Sequence, residues 1–385
     1  MLSPKGVGCA APFAVVVSTG ARILNSPVSA VTPQSVSVRM QTLPPAFAPW
    51  AEGWFNPPRP QAAAAQPPPL LVRRRLHSLL DGAREGLVWV SGPSGAGKTS
   101  LMRTWTDARR AAGTPCLWIQ LDATDAEPAV FFRHLRLALL STLATPQARN
   151  ALRLPAWREA ADAARLSAFA QRYFRAWTAA LPKPLILVFD ACEAAGADAA
   201  LPLLLDQLLQ ALPAGALMLA AGTDPLPLTL HRWAASGRCL TLGWEDLRAD
   251  DDEARELALA WGQPQPEAAQ CALAGGWMAA WAVLLSAARC GEAAPAADRI
   301  FEACAGAAYS GLDPLTRRVL AAVARQPTAS AEEAAVLSDV ANAGDVLAAL
   351  WRLRWFVERQ ISFDGQVRYA LHPLLRAHAA ARQMP

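Results

Sequence analysis

Gly92-Pro93-Ser94-Gly95-Ala96-Gly97-Lys98-Thr99 carries the pattern G-x-x-x-x-G-K-S/T at every required position. The flanking residues supply the context such a loop needs. Leu87-Val88-Trp89-Val90-Ser91 is a short apolar run that reads as a buried strand, and Ser100-Leu101-Met102-Arg103-Thr104-Trp105 opens a helix. Strand, glycine loop and helix in that order aim backbone N–H groups and a helix N-terminus at an anion. The glycines let the backbone curl around a phosphate with no Cβ in the way. Lys98 is then placed to reach the β- and γ-phosphates of a nucleotide, and the Thr99 hydroxyl to ligate Mg²⁺, with Ser100 beside it. Only three lysines, Lys5, Lys98 and Lys183, stand among 36 basic residues, so a chain that prefers arginine keeps lysine where a compact point charge is needed.

A second nucleotide signal follows about 90 residues later. Leu185-Ile186-Leu187-Val188-Phe189-Asp190 is an apolar strand ending in an acid, the Walker B pattern. It predicts a strand beside the phosphate-loop strand, with Asp190 holding Mg²⁺ through water. Many phosphate-loop ATPases place another acid just after this one to orient or deprotonate the attacking water. Here that residue is Ala191, and Glu193 can substitute only if the strand has ended and the loop turns back. The expectation is nucleotide binding with slow hydrolysis or none; the alternative is a working ATPase with Glu193 as its base.

Composition bounds the rest. A chain of 385 residues is long enough for two or three domains. Hydrophobic residues make up 53%, but no apolar run of transmembrane length, about 18 residues, appears, so no membrane partner is expected. The net charge of +4 is small and spread along the sequence, which gives no electrostatic case for nucleic acid. Seven cysteines lie scattered without a C-x-x-C pair and five histidines are equally dispersed, which argues against zinc or a disulfide scaffold and suits a reducing cytoplasm. Lys5 and the apolar run Cys9–Val17 have the outline of a signal peptide, but the run is short and the phosphate loop needs cytoplasmic nucleotide. The chain is therefore read as cytoplasmic, with Met40 a candidate start.

Residues 1–69 read as a disordered or extended arm, because 41–70 is rich in proline and alanine. From 70 to 248 strands and helices alternate: helices near 98–112, 127–143, 156–180 and 199–212, strands at Cys116–Leu121, Leu185–Asp190, Ala216–Ala221 and Cys239–Leu242. That alternation predicts an α/β domain, a parallel sheet flanked by helices. Residues 249–296 read as a small helical domain. Residues 297–385 read as a winged helix: helices at 314–325, 330–338 and 344–353, then strands Trp355–Ser362 and Gln366–Ala370 joined at Asp364-Gly365, and a closing helix. Trp277 and Trp281, spaced i, i+4, read as a core stripe.

From about residue 68 to 382 the chain resembles the nucleotide-binding core of the MalT-type regulators, a branch of the STAND class of signal-transducing ATPases. The resemblance rests on the phosphate loop and on a series of stretches in family order. These are Leu117–Asp122, Glu127–Leu135, the Asp190 strand, Asp224–Leu228, Leu242–Arg248 before the acidic start Asp250–Glu253, Gly276-Trp277, and Arg368–Leu375. It implies adenine nucleotide, ATP or ADP with Mg²⁺, and a closed ADP form in which the helical and winged-helix domains fold over it. His372 stands where the family's phosphate-touching histidine falls. Thr223, after Gly222, stands where an arginine sensor of the γ-phosphate is usual, and a threonine there carries no charge. The family's sensor repeats and DNA-binding helix-turn-helix have no counterpart here, so inducer and promoter binding do not carry over.

The candidate recognition helix, Asp345–Arg354, offers only Arg352 and Arg354 to DNA, so direct DNA binding is not expected. The reading is an ATP/ADP-held regulatory switch that recruits a protein partner or assembles with itself. The alternatives are the active ATPase using Glu193 and a DNA-binding regulator acting through 297–385. A kinase reading finds no lid-like arginine cluster or acceptor-activating acid.

Overall fold

The computed structural model describes residues 70–143, 145–157, 163–196, 200–353, 355–361 and 365–382. In chain order the first elements are α1 (Arg74–Gly82), β1 (Gly86–Ser91), α2 (Lys98–Ala111), β2 (Cys116–Gln120), α3 (Pro128–Thr142), α4 (Pro146–Ala151), α5 (Ala163–Ala179) and β3 (Leu185–Asp190). Then come α6 (Leu201–Ala211), β4 (Ala216–Gly222), α7 (His231–Ala235), β5 (Cys239–Leu242), α8 (Trp244–Leu247), α9 (Asp251–Ala260), α10 (Ala268–Ala274) and α11 (Met278–Arg289). The last are α12 (Ala297–Ser310), α13 (Pro314–Val323), β6 (Ala329–Ser330), α14 (Ala331–Ser338), α15 (Ala343–Arg352), β7 (Val357–Ile361), β8 (Val367–Leu371) and α16 (Pro373–Ala381). Three 3₁₀ turns punctuate them: Ala123–Ala126, Cys192–Ala195 and Leu228–Leu230.

Five strands form one sheet in the order β2-β3-β4-β1-β5. β1, β3 and β4 are buried along their whole length, as strands covered on both faces must be, and they read as unbroken apolar runs rather than alternating ones. β2 pairs parallel with β3, Cys116 opposite Ile186 through Gln120 opposite Asp190, and β1 pairs parallel with β5, Leu87 opposite Cys239 through Val90 opposite Leu242. The α/β sheet flanked by helices is thus as the alternation predicts. One expectation fails: β3 does not lie beside β1, because β4 stands between them. Alternation fixes that the strands are parallel but not their lateral order, and the β1–α2–β2 crossover here skips the two positions that β3 and β4 then fill.

The described residues divide into two compact units. The first holds Arg84–Gly86 and Thr106–Leu219. Its core is aromatic: Phe132 packs against Trp157, Phe169, Tyr173 and Phe174 with ring centroids 4.7–5.7 Å apart. Tyr173 and Trp177 bury their rings and satisfy their polar ends on backbone carbonyls, the Tyr173 hydroxyl on Phe132 O (2.8 Å) and the Trp177 indole on Leu135 O (2.9 Å). Of the helix expected at 156–180, residues 163–179 are helical (α5), Ala156 and Trp157 are not, and 158–162 lie outside the described residues; α4 is a separate short helix ahead of it.

The second unit holds residues 70–83, Leu87–Trp105 and the chain from Ala220 onward. α9 starts on an aspartate cap, Asp250 accepting from Glu253 N, with three acids in its first turn facing the positive end of the helix dipole. β6, β8 and β7 form a three-stranded antiparallel sheet beside α13, α14 and α15, and α14 opens on a reciprocal Ser330–Glu333 capping box. β7 and β8 pair as the expected hairpin, Val357 opposite Leu371 through Ile361 opposite Val367. Asp364 of the expected turn, the arm 1–69 and Arg354 lie outside the described residues. Among the described residues no single helix is long and apolar enough to cross a membrane.

Candidate functional site

The loop Gly92–Thr99 joins the end of β1 to the start of α2. Gly92 N donates to Gly222 O at the end of β4 (3.2 Å), so the loop springs from two buried strands. Gly95 (φ +76°) and Gly97 (φ +87°) take left-handed conformations, the local requirement that the glycine spacing answers. Lys98 is buried, and its Nζ donates to Gly92 O (2.7 Å) and Pro93 O (3.1 Å), closing the loop on itself. Thr99 is exposed and Ser100 half-buried in the first turn of α2. Ala96 is fully buried beneath the loop.

The resemblance implies helical and winged-helix domains folded over the nucleotide without saying which residues meet the loop; the start of α11 sits on it. Ala279 N donates to Gly95 O (2.9 Å), and the Trp277 indole Nε1 donates to Ser94 O (3.0 Å). The approach is close enough that a Cβ at Gly95 would lie 2.5 Å from Ala279 Cβ, and one at Gly97 would lie 3.1 Å from Met278 Cγ. The Gly276-Trp277 pair was the available signal, but nothing in its spacing says which surface it covers. Trp277 and Trp281 are both buried, as the core stripe predicts. The Trp277 ring also meets Phe356 edge-on at 4.6 Å and His372 at 6.0 Å, so one side chain touches both the phosphate loop and the C-terminal aromatic cluster.

His372 is buried at the N-cap of α16, its Nδ1 accepting from Leu374 N. Its Nε2 faces the Gly275 backbone, where a Cβ would come within 2.5 Å. Burial, and secondarily the Arg248 charge, push its pKa down from 6.5 to about 4, so the ring is neutral at physiological pH. It lies against Trp277 rather than directly on the phosphate loop. Thr223 follows β4 next to Gly222, whose carbonyl holds Gly92, which brings it to the root of the loop.

A buried ion pair ties the entry segment to α9. Arg73 Nη2 lies 2.6 Å from Glu253 Oε2, while its Nη1 and Nη2 donate to Leu247 O and Arg248 O. Neither residue stands out in the sequence, because an arginine and a glutamate 180 positions apart give no local pattern.

In the first unit, Asp190 closes β3 and is buried, its Oδ1 accepting from Ala191 N (3.0 Å). Ala191 is left-handed (φ +59°), and the 3₁₀ turn Cys192–Ala195 begins at once. The strand has therefore ended and the chain turned back, the condition set for Glu193, whose side chain is exposed on that turn. The hard oxygen donors Thr99 Oγ1 and the Asp190 carboxylate are of the type Mg²⁺ takes, and the glycine loop with Lys98 is of the type a phosphate takes. Among the described residues no group of three or more histidine, cysteine, aspartate or glutamate side chains is placed to hold a metal.

Residues 71–220 match the family model of the AAA ATPase domain. That span runs from the entry segment into β4 and takes in the phosphate loop, Asp190 and Glu193. Comparison with curated proteins gives no match. Among solved structures the chain is similar to the Aeropyrum pernix ORC1 protein in complex with DNA, at 16% identity over 80% of this chain and 91% of that one, with a TM-score of 0.38. It is also similar to the Drosophila ORC bound to AT-rich DNA and Cdc6, at 11% identity over 80% and 90% of the two chains, with a TM-score of 0.28.

Proposed function

We propose that the chain is an ATP/ADP-binding regulatory switch of the STAND type, which hydrolyses its nucleotide slowly or not at all and acts by changing shape and recruiting a partner. In this reading the loop amides of Gly92–Thr99 and the Lys98 ammonium hold the phosphates, Thr99 and Asp190 hold Mg²⁺, and Ser100 lies beside them. Thr223 and His372 read the phosphate end, the latter through its neighbour Trp277. Residues 297–385 act as a winged helix whose role is intramolecular. Bound Mg²⁺ supplies charge neutralisation for the phosphates.

One observation carries the reading: the first turn of α11 is hydrogen-bonded to the outer carbonyls of the phosphate loop through Trp277 and Ala279. A loop whose shape depends on its nucleotide is thereby joined to helices that can report it. The alanine after Asp190 and the uncharged Thr223 support slow turnover, since both positions would otherwise stabilise the transition state. The match to the AAA ATPase domain supports nucleotide binding. The resemblance alone supports adenine.

The experiment is to purify the protein, denature it, and identify released nucleotide by chromatography, with Lys98→Ala as control. Stoichiometric ADP or ATP in the wild type and none in the control is the expected result. Rapid Mg²⁺-dependent turnover abolished by Glu193→Gln would replace the switch with a working ATPase. A wild-type protein that is empty and does not bind added ATP would overturn the nucleotide reading altogether.

A further inference from the structure

The small net charge conceals a strong local one. Residues 128–184 contain nine basic residues and two acidic ones, Glu159 and Asp162, a net of +7 in a chain whose total is +4. The rest of the molecule is therefore slightly acidic, and the charge is concentrated, not spread as the sequence total suggests.

The fold brings part of this charge together on two neighbouring helices of the first unit. Arg133 and Arg136 are spaced i, i+3 on α3, and Arg172 and Arg175 are spaced i, i+3 on α5, so each pair shares a face of its helix. All four are exposed. α3 and α5 run side by side along the seam closed by the Tyr173–Phe132 and Trp177–Leu135 hydrogen bonds, and the Arg136 charge is felt at the Tyr173 hydroxyl. Neither helix contains an aspartate or a glutamate. Among the described residues none of the four arginines is tied up by an acid, whereas Arg73, Arg110, Arg248 and Arg368 elsewhere all are.

We infer that the exposed arginines of α3 and α5 bind the phosphate backbone of duplex DNA without regard to sequence. The charge calls for a polyanion, and what lies around the charge selects among polyanions. A protein partner or an anionic bilayer would ask for exposed aromatic or large aliphatic anchors within the patch. The large apolar side chains left exposed (Val72, Leu79, Leu228, Leu259, Leu315, Val336, Leu337, Leu353 and Ile361) all lie off these two helices. Single-stranded nucleic acid asks for exposed aromatic rings to stack its bases, and the aromatic rings of α3 and α5 are buried. Duplex RNA is recognised largely through its 2′-hydroxyls, and preference for it over duplex DNA is an outcome of the test below. Backbone contact by guanidinium groups is what remains, and it needs no other residue type. The inference does not depend on the nucleotide reading.

Fluorescence anisotropy of the full chain with a labelled duplex of arbitrary sequence tests it, with salt varied from about 50 to 200 mM. Binding should weaken with a slope of log K against log salt of about −3 to −4, close to −0.9 for each of the four arginines. Arg133→Glu with Arg136→Glu, or Arg172→Glu with Arg175→Glu, should each cost at least about tenfold in affinity and make the slope shallower by about 2. The glutamine versions should show the same order of effect should a glutamate pair perturb folding, with thermal melting as the check. A charge-matched control, Arg299→Glu with Arg325→Glu in the C-terminal region, both exposed, should leave affinity unchanged. No binding at low salt, an equal loss in the control, or capture by phosphatidylserine vesicles, polyglutamate or duplex RNA in preference to duplex DNA would each overturn the inference.

Discussion

Gly95→Ala tests whether the start of α11 is fastened to the phosphate loop. At φ +76° a left-handed alanine costs about 1–2 kcal/mol by itself. Its Cβ would lie 2.5 Å from Ala279 Cβ, a distance that real contacts do not tolerate, and 3.0 Å from the Trp277 Nε1, tighter than most. The first turn of α11 must move away, which breaks the Ala279 N–Gly95 O and Trp277 Nε1–Ser94 O hydrogen bonds. At about 1 kcal/mol for each bond, the whole substitution should destabilise by about 3–4 kcal/mol. Ala279→Gly alone should cost about 0.5–1 kcal/mol, the usual penalty of glycine in a helix. In the double variant the overlapping Cβ is gone and the bonds can re-form, leaving the backbone strain. The double-mutant cycle should therefore show a favourable coupling of about 1–2 kcal/mol, measured by urea denaturation followed by tryptophan emission. Additive effects within about 0.5 kcal/mol would mean that α11 and the loop are not in register as described, and the transmission argument would fall with them.

Two further outcomes follow from buried charge. Arg73→Met leaves Glu253 buried beside only the half-exposed Arg75, so it should destabilise by about 3–5 kcal/mol, whereas Arg73→Met with Glu253→Leu should recover most of that; a loss below about 1 kcal/mol in the single variant, read from chemical denaturation, would contradict the pairing. His372 is held neutral in the fold, its pKa lowered from 6.5 to about 4 chiefly by burial and then by Arg248. Its contribution is complete above pH 6.5 and is lost as pH falls toward 4, a decline of roughly 3 kcal/mol by proton linkage. His372→Gln should flatten the stability profile across that window, and parallel profiles for the two proteins would refute the assignment.

The elements that depend on neighbouring residues were legible. Apolar runs gave β1, β3 and β4, the glycine spacing gave the loop at 92–99, and the Ser330–Glu333 pair marks the start of α14 within a residue of its expected place. What depends on distant residues was not. The insertion of β4 between β3 and β1 leaves no trace in any one segment, and the Arg73–Glu253 pair joins two residues each unremarkable where it stands. Trp277 was read as core, which it is, but its indole N–H reaches a carbonyl 183 residues earlier in the chain. The arginine pairs of α3 and α5 were invisible for a different reason: a sum over the chain averages away a charge that two helices bring together.

The left-handed alanine after Asp190 bears on the slow turnover proposed above. With φ at +59°, residue 191 does not continue the direction of β3, and its amide is already spoken for by the Asp190 carboxylate. A glutamate introduced there would inherit that turned-away orientation along with the strain of a bulky left-handed residue. Placing an acid at position 191 by one substitution should therefore not by itself give rapid turnover. A route to rapid turnover would run through the conformation of the Asp190–Cys192 corner first and its side chains second, so the slow turnover we propose would be set by the backbone and not by one side chain.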